Sequence, residues 1–243
     1  MKLDYNSLAQ EYARHRQILP EVFQNLVEAG GLGPDSKILD VGCGTGNYAV
    51  ALQGTIHCSC WGLDPSEQML AKARERTRDI HFKAGRAEQL DYPSEFFDLV
   101  FSVDVIHHVI DRPAFFREAY RVLKNGGKVC TVTDSEDIIR RRRPLSNYFP
   151  ETVEIELQRY PPITDLRAMM VSTGFVDLQE VLAEREYELQ DIQKYRDKAF
   201  SSLHLISPEA FERGIQRMEH DVQAHPIPAV SLYVLLWGVK GPS

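Results

Sequence analysis

The apolar residues of this chain fall into short runs without alternation, separated by stretches that keep a helical period. KILDVG (37–42) is such a run, as expected of a strand buried on both faces. Runs of the same kind recur at 57–63, 80–84, 96–103 and 128–134. Between them, 65–77 and 113–124 read as helices. In the second, Phe115, Phe116, Ala119, Val122 and Leu123 keep a 3.6-residue spacing after Pro113, and Gly126-Gly127 is expected to stop it. Upstream, 7–17 and 20–29 also read as helices, the latter closing at Gly30-Gly31 with Pro34 beyond. Downstream come a helix over 164–173 ended by Gly174, a strand-like run to Leu189, a helical stretch over 191–224 and a last strand over 230–239. Strands alternating with helices predict an α/β fold, a Rossmann-like sheet of seven mostly parallel strands with helices on both faces. No linker-like break, internal repeat or low-complexity tract interrupts the chain. Residues 1–243 therefore read as one domain, with a core over 37–134 and two insertions over about 135–163 and 190–228.

The first strand leads into DVGCGTG (40–46), which places Gly42, Gly44 and Gly46 within five positions. One turn with φ > 0 explains one glycine or two, so the density points to a ligand lying against the main chain. The dinucleotide fingerprint requires a third glycine where this chain has Asn47. A phosphate-binding Walker loop requires a Lys-Ser or Lys-Thr pair that is missing here. Asp40 stands ahead of the glycines, where an acid repels phosphate and suits a ligand with a cationic end.

Together with WGLDPSEQMLAKAR (61–74), KAGRAEQLDYPSEFFDLVFSVDVIHHV (83–109) and RVLKNGGKV (121–129), this loop resembles the class I S-adenosylmethionine-dependent methyltransferases that act on small molecules. The likeness covers 37–134, with the motifs in the expected order and spacing. It implies that S-adenosylmethionine binds at Asp40, Gly42, Gly44 and Gly46 and leaves as S-adenosylhomocysteine, and that no metal is needed. It also implies that Asp64 holds the ribose hydroxyls, with Pro65 beside it and Met69 against the adenosine. Asp64 lies 22 positions after Gly42, close to the separation of about 20 at which Rossmann-type sheets place such an acid. Asp64-Pro65-Ser66-Glu67 also reads as a helix N-cap with a capping-box Glu, a role that Ser66 can take instead. By the same resemblance, the backbone of Ala87 and the side chain of Arg86 or Glu88 edge the adenine. The family often has Asp at position 86, and Arg86 cannot accept a hydrogen bond. Ser102 and Val103 would present carbonyls to the methionine end. The pattern of Tyr5, Ala9, Tyr12, Ala13 and Arg16 resembles the helical lid of related enzymes, with Tyr12 and Arg16 near the cofactor.

Methyl transfer from a sulfonium is an in-line displacement with a good leaving group, so positioning is the main task. An oxygen or acidic-carbon acceptor also needs a base, whereas an amine lone pair does not. His107 and His108 follow the fourth strand, on the ligand side of open α/β sheets, and His107 is the candidate base. His204, Tyr148 and Tyr195 are weaker candidates. The strand lacks the Asn-Pro-Pro-aromatic motif of enzymes that methylate amino groups of bases or of glutamine. The insertions are expected to form a mobile cover over the acceptor. Arg140–Arg143 either grip an acidic substrate or solvate the loop, the usual role of a charge run.

Composition narrows the alternatives. A net charge of −7 argues against a nucleic-acid surface. The first residues lack the apolar core of a signal peptide, and AVSLYVLLWGV near the end is too short to span a bilayer. The expectation is a cytoplasmic monomer or homodimer acting on a small-molecule acceptor, with no nucleic-acid or membrane partner. Four cysteines suggest no disulfide scaffold. Cys58 and Cys60, two apart in the expected strand, read as buried and inert, since only His57 is at hand as a further metal ligand. The rival readings are an aminopropyltransferase, which would place acidic pairs where this chain has Ser102, Asp104 and histidines, and a catalytically silent binding module.

Overall fold

In the computed structural model, which describes residues 18–241, the strands are β1 (Lys37–Val41), β2 (Ser59–Asp64), β3 (His81–Ala84), β4 (Phe97–Val103), β5 (Leu123–Thr133), β6 (Phe175–Leu189) and β7 (Ile227–Lys240). They form one sheet in the order β3-β2-β1-β4-β5-β7-β6. The first five pair in parallel, and β7 runs antiparallel to both β5 and β6. The fold is thus the expected Rossmann-like one. Strand order reverses between β1 and β4, which opens a crevice at their carboxyl ends, the place where open α/β sheets bind ligands.

Helices α1 (Pro20–Gly30), α2 (Asn47–Ile56), α3 (Glu67–Arg76) and α4 (Arg112–Val122) cover this core. Each starts or stops for a local reason. Pro20 opens α1, and Gly31 closes it in the left-handed conformation (φ 66°). The Asp111 carboxylate caps α4 by accepting from the amide of Ala114. Phe115, Phe116, Ala119 and Val122 then bury one face of α4 against β4 and β5, in a cluster with Leu39, Val100 and Val129.

Several expectations need correction. Helix α4 ends at Val122, four residues before the glycines, because Leu123 already pairs with Phe97. Gly126 and Gly127 lie inside β5, where the pairing shifts from Phe97↔Leu123 to Leu99↔Lys128. The pair therefore marks a bulge rather than a helix stop. Strand β2 begins at Ser59, since His57 caps α2 in a left-handed conformation (φ 60°) and Cys58 precedes the strand. The cysteines are nonetheless buried together, their sulfurs 3.5 Å apart. One alternative is settled as the sequence allowed: Ser66 rather than Asp64 caps α3, accepting from the amide of Met69 at 3.2 Å.

The stretch after β5, expected as an insertion over about 135–163, holds α5 (Glu136–Arg141), α6 (Leu145–Tyr148) and α7 (Glu151–Arg159), followed by α8 (Ile163–Thr173). Pro144, Pro150 and Pro162 stand at the N-caps of α6, α7 and α8, so they punctuate helices. The expected helix over 191–224 is broken into α9 (Gln193–Arg196), a 3₁₀ turn (Ser201–His204) and α10 (Pro208–Ala224). The two segments meet. Leu145 and Phe149 from the first pack with Ile192, Tyr195, Leu203, Ile215 and Met218 from the second in a separate apolar cluster. They form one cap, seated beside the carboxyl ends of β4 and β5. The first helix expected, over 7–17, lies outside the described residues.

Candidate active site

Gly42, Gly44 and Gly46 all have positive φ (74°, 54° and 75°), but they differ in what surrounds them. A Cβ on Gly42 would come within 2.4 Å of Val105 Cγ2, so this glycine lets the loop pass the chain that follows β4. A Cβ on Gly44 would meet no atom of the described residues within 4 Å. Among the described residues nothing packs against Gly44 on that side, so its main chain faces open space. Gly46 is the left-handed N-cap residue of α2.

Two buried acids flank this cradle. Asp64, at the end of β2, accepts from the amide of Gly44 at 2.9 Å and from that of Ser66 at 2.8 Å. Burial pushes its pKa up, and the two amide donors hold back part of the rise. Asp40, at the end of β1, is only 4% exposed, and burial followed by the nearby Asp64 charge raises its pKa to about 8. Such a pair suits a ligand that brings hydroxyl donors and a positive charge, as S-adenosylmethionine does, and the open cradle at Gly44 leaves room for it.

The raised pKa has a consequence for stability. A carboxyl whose folded pKa lies above its unfolded value favours folding fully at low pH, and that contribution is lost as pH rises toward about 8. The ligand-free chain is therefore expected to melt at lower temperature at pH 9 than at pH 6. Asp40→Asn should flatten that slope, as read by melting curves of both proteins across this range. An unchanged slope in the variant would place the effect elsewhere.

Asp40, Gly42 and Gly44 open into a cavity of about 410 Å³ that continues past Val103 and Asp104 to the cap. Its far walls include Asp134, Arg142, Glu156, Tyr160, Lys194, Tyr195, Ser202 and Tyr233. Asp104, just after β4, takes a positive φ (57°) and accepts a hydrogen bond from the Tyr233 hydroxyl at 3.3 Å. Arg142, the C-cap residue of α5, turns inward, with its guanidinium paired to Asp134 and, at 3.0 Å, to Glu156. Burial works against its charge, but the carboxylate of Glu156, then Tyr160, Tyr233 and Asp104, hold its pKa up. The solvated reading of the arginine run therefore fails for Arg142. Arg141 pairs with Asp137 and Arg140 with Glu154, both exposed, whereas Arg143 lines the cavity and lies 3.8 Å from Glu186. On the opposite wall, Lys194 donates to the Tyr187 hydroxyl at 2.9 Å and lies over the rings of Tyr187, Tyr195 and Phe200.

Of the residues singled out from the sequence, Asp40, Gly42, Gly44 and Val103 line this cavity, and Asp64 is tied to it through Gly44. Gly46, Pro65, Met69, Arg86, Ala87, Glu88 and Ser102 lie outside its lining. Arg86 and Glu88 pair at 3.4 Å on the segment after β3, where Glu88 accepts from the amide of Ile110. Tyr12 and Arg16 lie outside the described residues. His107 stacks on Tyr160 (centroids 4.0 Å apart, planes 19° apart), so the ring on the cavity wall is Tyr160 with His107 behind it. Of the weaker candidates, Tyr195 is in the lining, while His204 bonds to the Lys198 carbonyl and Tyr148 to Asp221. Sequence reasoning assigned no role to Asp134, Glu156, Tyr160 or Lys194, and named Arg142 only as part of the Arg140–Arg143 run. Only Asp104 and Asp134 carried a signal, as polar residues at the carboxyl ends of adjacent parallel strands. Among the described residues no group of three His, Cys, Asp or Glu is placed to hold a metal, and no helix is long and apolar enough to cross a membrane.

Comparison with known proteins agrees with this geometry. A family profile described as a methyltransferase domain matches residues 39–131. Phosphoethanolamine N-methyltransferase 1 of Arabidopsis thaliana is 31% identical over 196 residues, covering 74% of this chain and 38% of the relative. The chain thus spans well under half the length of that relative. Among solved structures, a putative methyltransferase from an antibiotic biosynthesis pathway of Anabaena variabilis superposes with a TM-score of 0.70 at 20% identity, covering 91% of this chain and 97% of that one. Phosphoethanolamine N-methyltransferase 2 of Haemonchus contortus, solved with phosphomonomethylethanolamine and S-adenosylhomocysteine, gives a TM-score of 0.63 at 20% identity, covering 98% of this chain and 58% of that one. At such identities the two structures speak for the fold, while the profile and the plant relative speak for the family. This chain belongs to the class I S-adenosylmethionine-dependent methyltransferases.

Proposed function

We propose that this chain binds S-adenosylmethionine at Asp40–Gly46 and Asp64 and directs methyl transfer to the nitrogen of a small acceptor held under the cap. The observation that carries this reading is the shared cavity: the bare cradle at Gly44 and the polar cap residues line one space. S-adenosylmethionine supplies a methyl group already activated on sulfur, so the chain's part is to align the acceptor and keep water out. Asp64 and the open main chain at Gly44, which it holds, fix one end of the donor. Asp104, held by Tyr233, and the Arg142 network shape the acceptor side. The relatives named for phosphoethanolamine support a nitrogen acceptor. Arg143, Arg185 and Lys194 on the same walls suit an acceptor with an anionic end. His107 supports the Tyr160 wall, since an amine lone pair needs no base in the transfer itself.

Incubation of the full chain with S-adenosylmethionine and a panel of small amines, phenols and acids tests this, with S-adenosylhomocysteine release as readout. Release with at least one amine is expected; tight cofactor binding without release for any acceptor would leave a binding module only. In the same assay His107→Ala should cost less than about tenfold in turnover. A loss of a hundredfold or more, the range a positioned base supplies, would make His107 the base instead.

A further inference from the structure

Asp134 follows directly on β5 and is 3% exposed. One of its carboxylate oxygens, Oδ2, pairs with Arg142. The other, Oδ1, is buried with no hydrogen-bond partner among the described residues, although the residue lines the cavity. Buried carboxylate oxygens are nearly always satisfied, and leaving one bare is costly. The same walls carry Ser202, also buried, whose Oγ likewise lacks a partner. The arrangement is half of a hydrogen-bond network, and the missing half is a donor that enters with the acceptor.

The geometry points to Asp134 Oδ1 as the acceptor of an N–H from the methylated nitrogen, which makes the site selective for primary and secondary amines over tertiary ones. This rests on the methyl-transfer reading above and deepens it. The reacting amine must be neutral, with its lone pair aimed at the methyl carbon. A primary or secondary amine in that state keeps an N–H for Asp134, and the bond fixes the direction of the lone pair. A neutral tertiary amine has no N–H, so it leaves Oδ1 bare and its own lone pair unoriented. In the transfer the nitrogen lone pair forms the N–C bond, the C–S pair stays on sulfur, and the proton on the new ammonium leaves through the N–H held by Asp134 to solvent. Sites built to bond a substrate hydrogen reject analogues that lack it more strongly than apolar pockets reject a missing methylene.

The test uses the full chain with S-adenosylmethionine and three probes: phosphoethanolamine and its N-methyl and N,N-dimethyl derivatives. The expected result is a kcat/KM for the first two about tenfold to a hundredfold above the third, the range of one charge-assisted hydrogen bond. Asp134→Asn should erase most of that ratio by lowering the first two and sparing the third, with S-adenosylhomocysteine affinity unchanged by calorimetry. The wild-type ratio stands as a test even where the variant folds poorly. Equal or better turnover of the dimethyl probe overturns the inference, as does an equal loss on all three probes in a folded variant. Methylation of phenols but of no amine overturns it while leaving methyl transfer intact. Absence of cofactor binding removes the methyl-transfer reading itself.

Discussion

Gly44→Ala is expected to lower S-adenosylmethionine affinity by about a hundredfold or more while the protein stays folded. Its Cβ would enter space that no atom of the described residues occupies, so the fold bears the cost of a left-handed alanine, roughly 1–2 kcal/mol. For a chain of this length that is a fall of about 2–8 °C in Tm. The methyl group would stand where the ligand is proposed to touch the main chain. Gly42→Ala makes the contrast, because its Cβ would lie 2.4 Å from Val105 and the loop must shift. Overpacking of this kind adds roughly 1–3 kcal/mol to the same backbone strain, and the larger loss of Tm belongs there. Calorimetric titration and melting of both variants decide the matter. Equal affinity in Gly44→Ala and wild type would mean that the cradle holds nothing.

The second large effect concerns Asp64. Asp64→Ala should weaken the cofactor by about tenfold to a hundredfold, a net loss of roughly 1.5–3 kcal/mol, that of one charge-assisted bond. Part of that loss comes through the chain, since Asp64 also accepts from the amide of Gly44 and so fixes the cradle. Asp64→Asn separates the parts: it keeps an oxygen for the Gly44 amide but offers the ribose hydroxyls a weaker, uncharged acceptor. It should fall between wild type and Asp64→Ala in titration. Wild-type affinity in both variants would refute the ribose assignment.

What the sequence made legible was local. Asp40, the glycines and Asp64 lie on or beside adjacent strands of the core, and the chemistry of a ligand on the main chain demands their spacing. The Rossmann-like sheet followed from the alternation of strands and helices, while the crevice between β1 and β4 follows from the strand order. The acceptor side was not legible in this way. Asp134, Arg142, Glu156, Tyr160, Lys194 and Ser202 meet only because two segments far apart in the chain pack into one cap. No period or motif links Arg142 to Lys194, and a run of four arginines looks the same whether one of them turns inward or none does. The helices of the first segment were likewise missed, although Pro144, Pro150 and Pro162 each stand at the start of one. Gly126 and Gly127 were read as a helix stop because the bulge they serve is set by pairing with β4, which the local pattern does not contain.

The placement of β7 between β5 and β6 orders the assembly of the site in time. Every strand that carries the glycine cradle and its acids precedes Thr133, and those strands pair in parallel with near neighbours in the chain. The far wall needs Val230, Ser231, Leu232 and Tyr233 of β7, about a hundred residues later. Contacts between such distant segments form late, because the intervening chain must first be ordered. During synthesis from the N-terminus, the donor half of the cavity can close before the acceptor half exists. A chain stopped short of β7 would lack Val230, Ser231, Leu232 and Tyr233, and with them the far wall of the cavity.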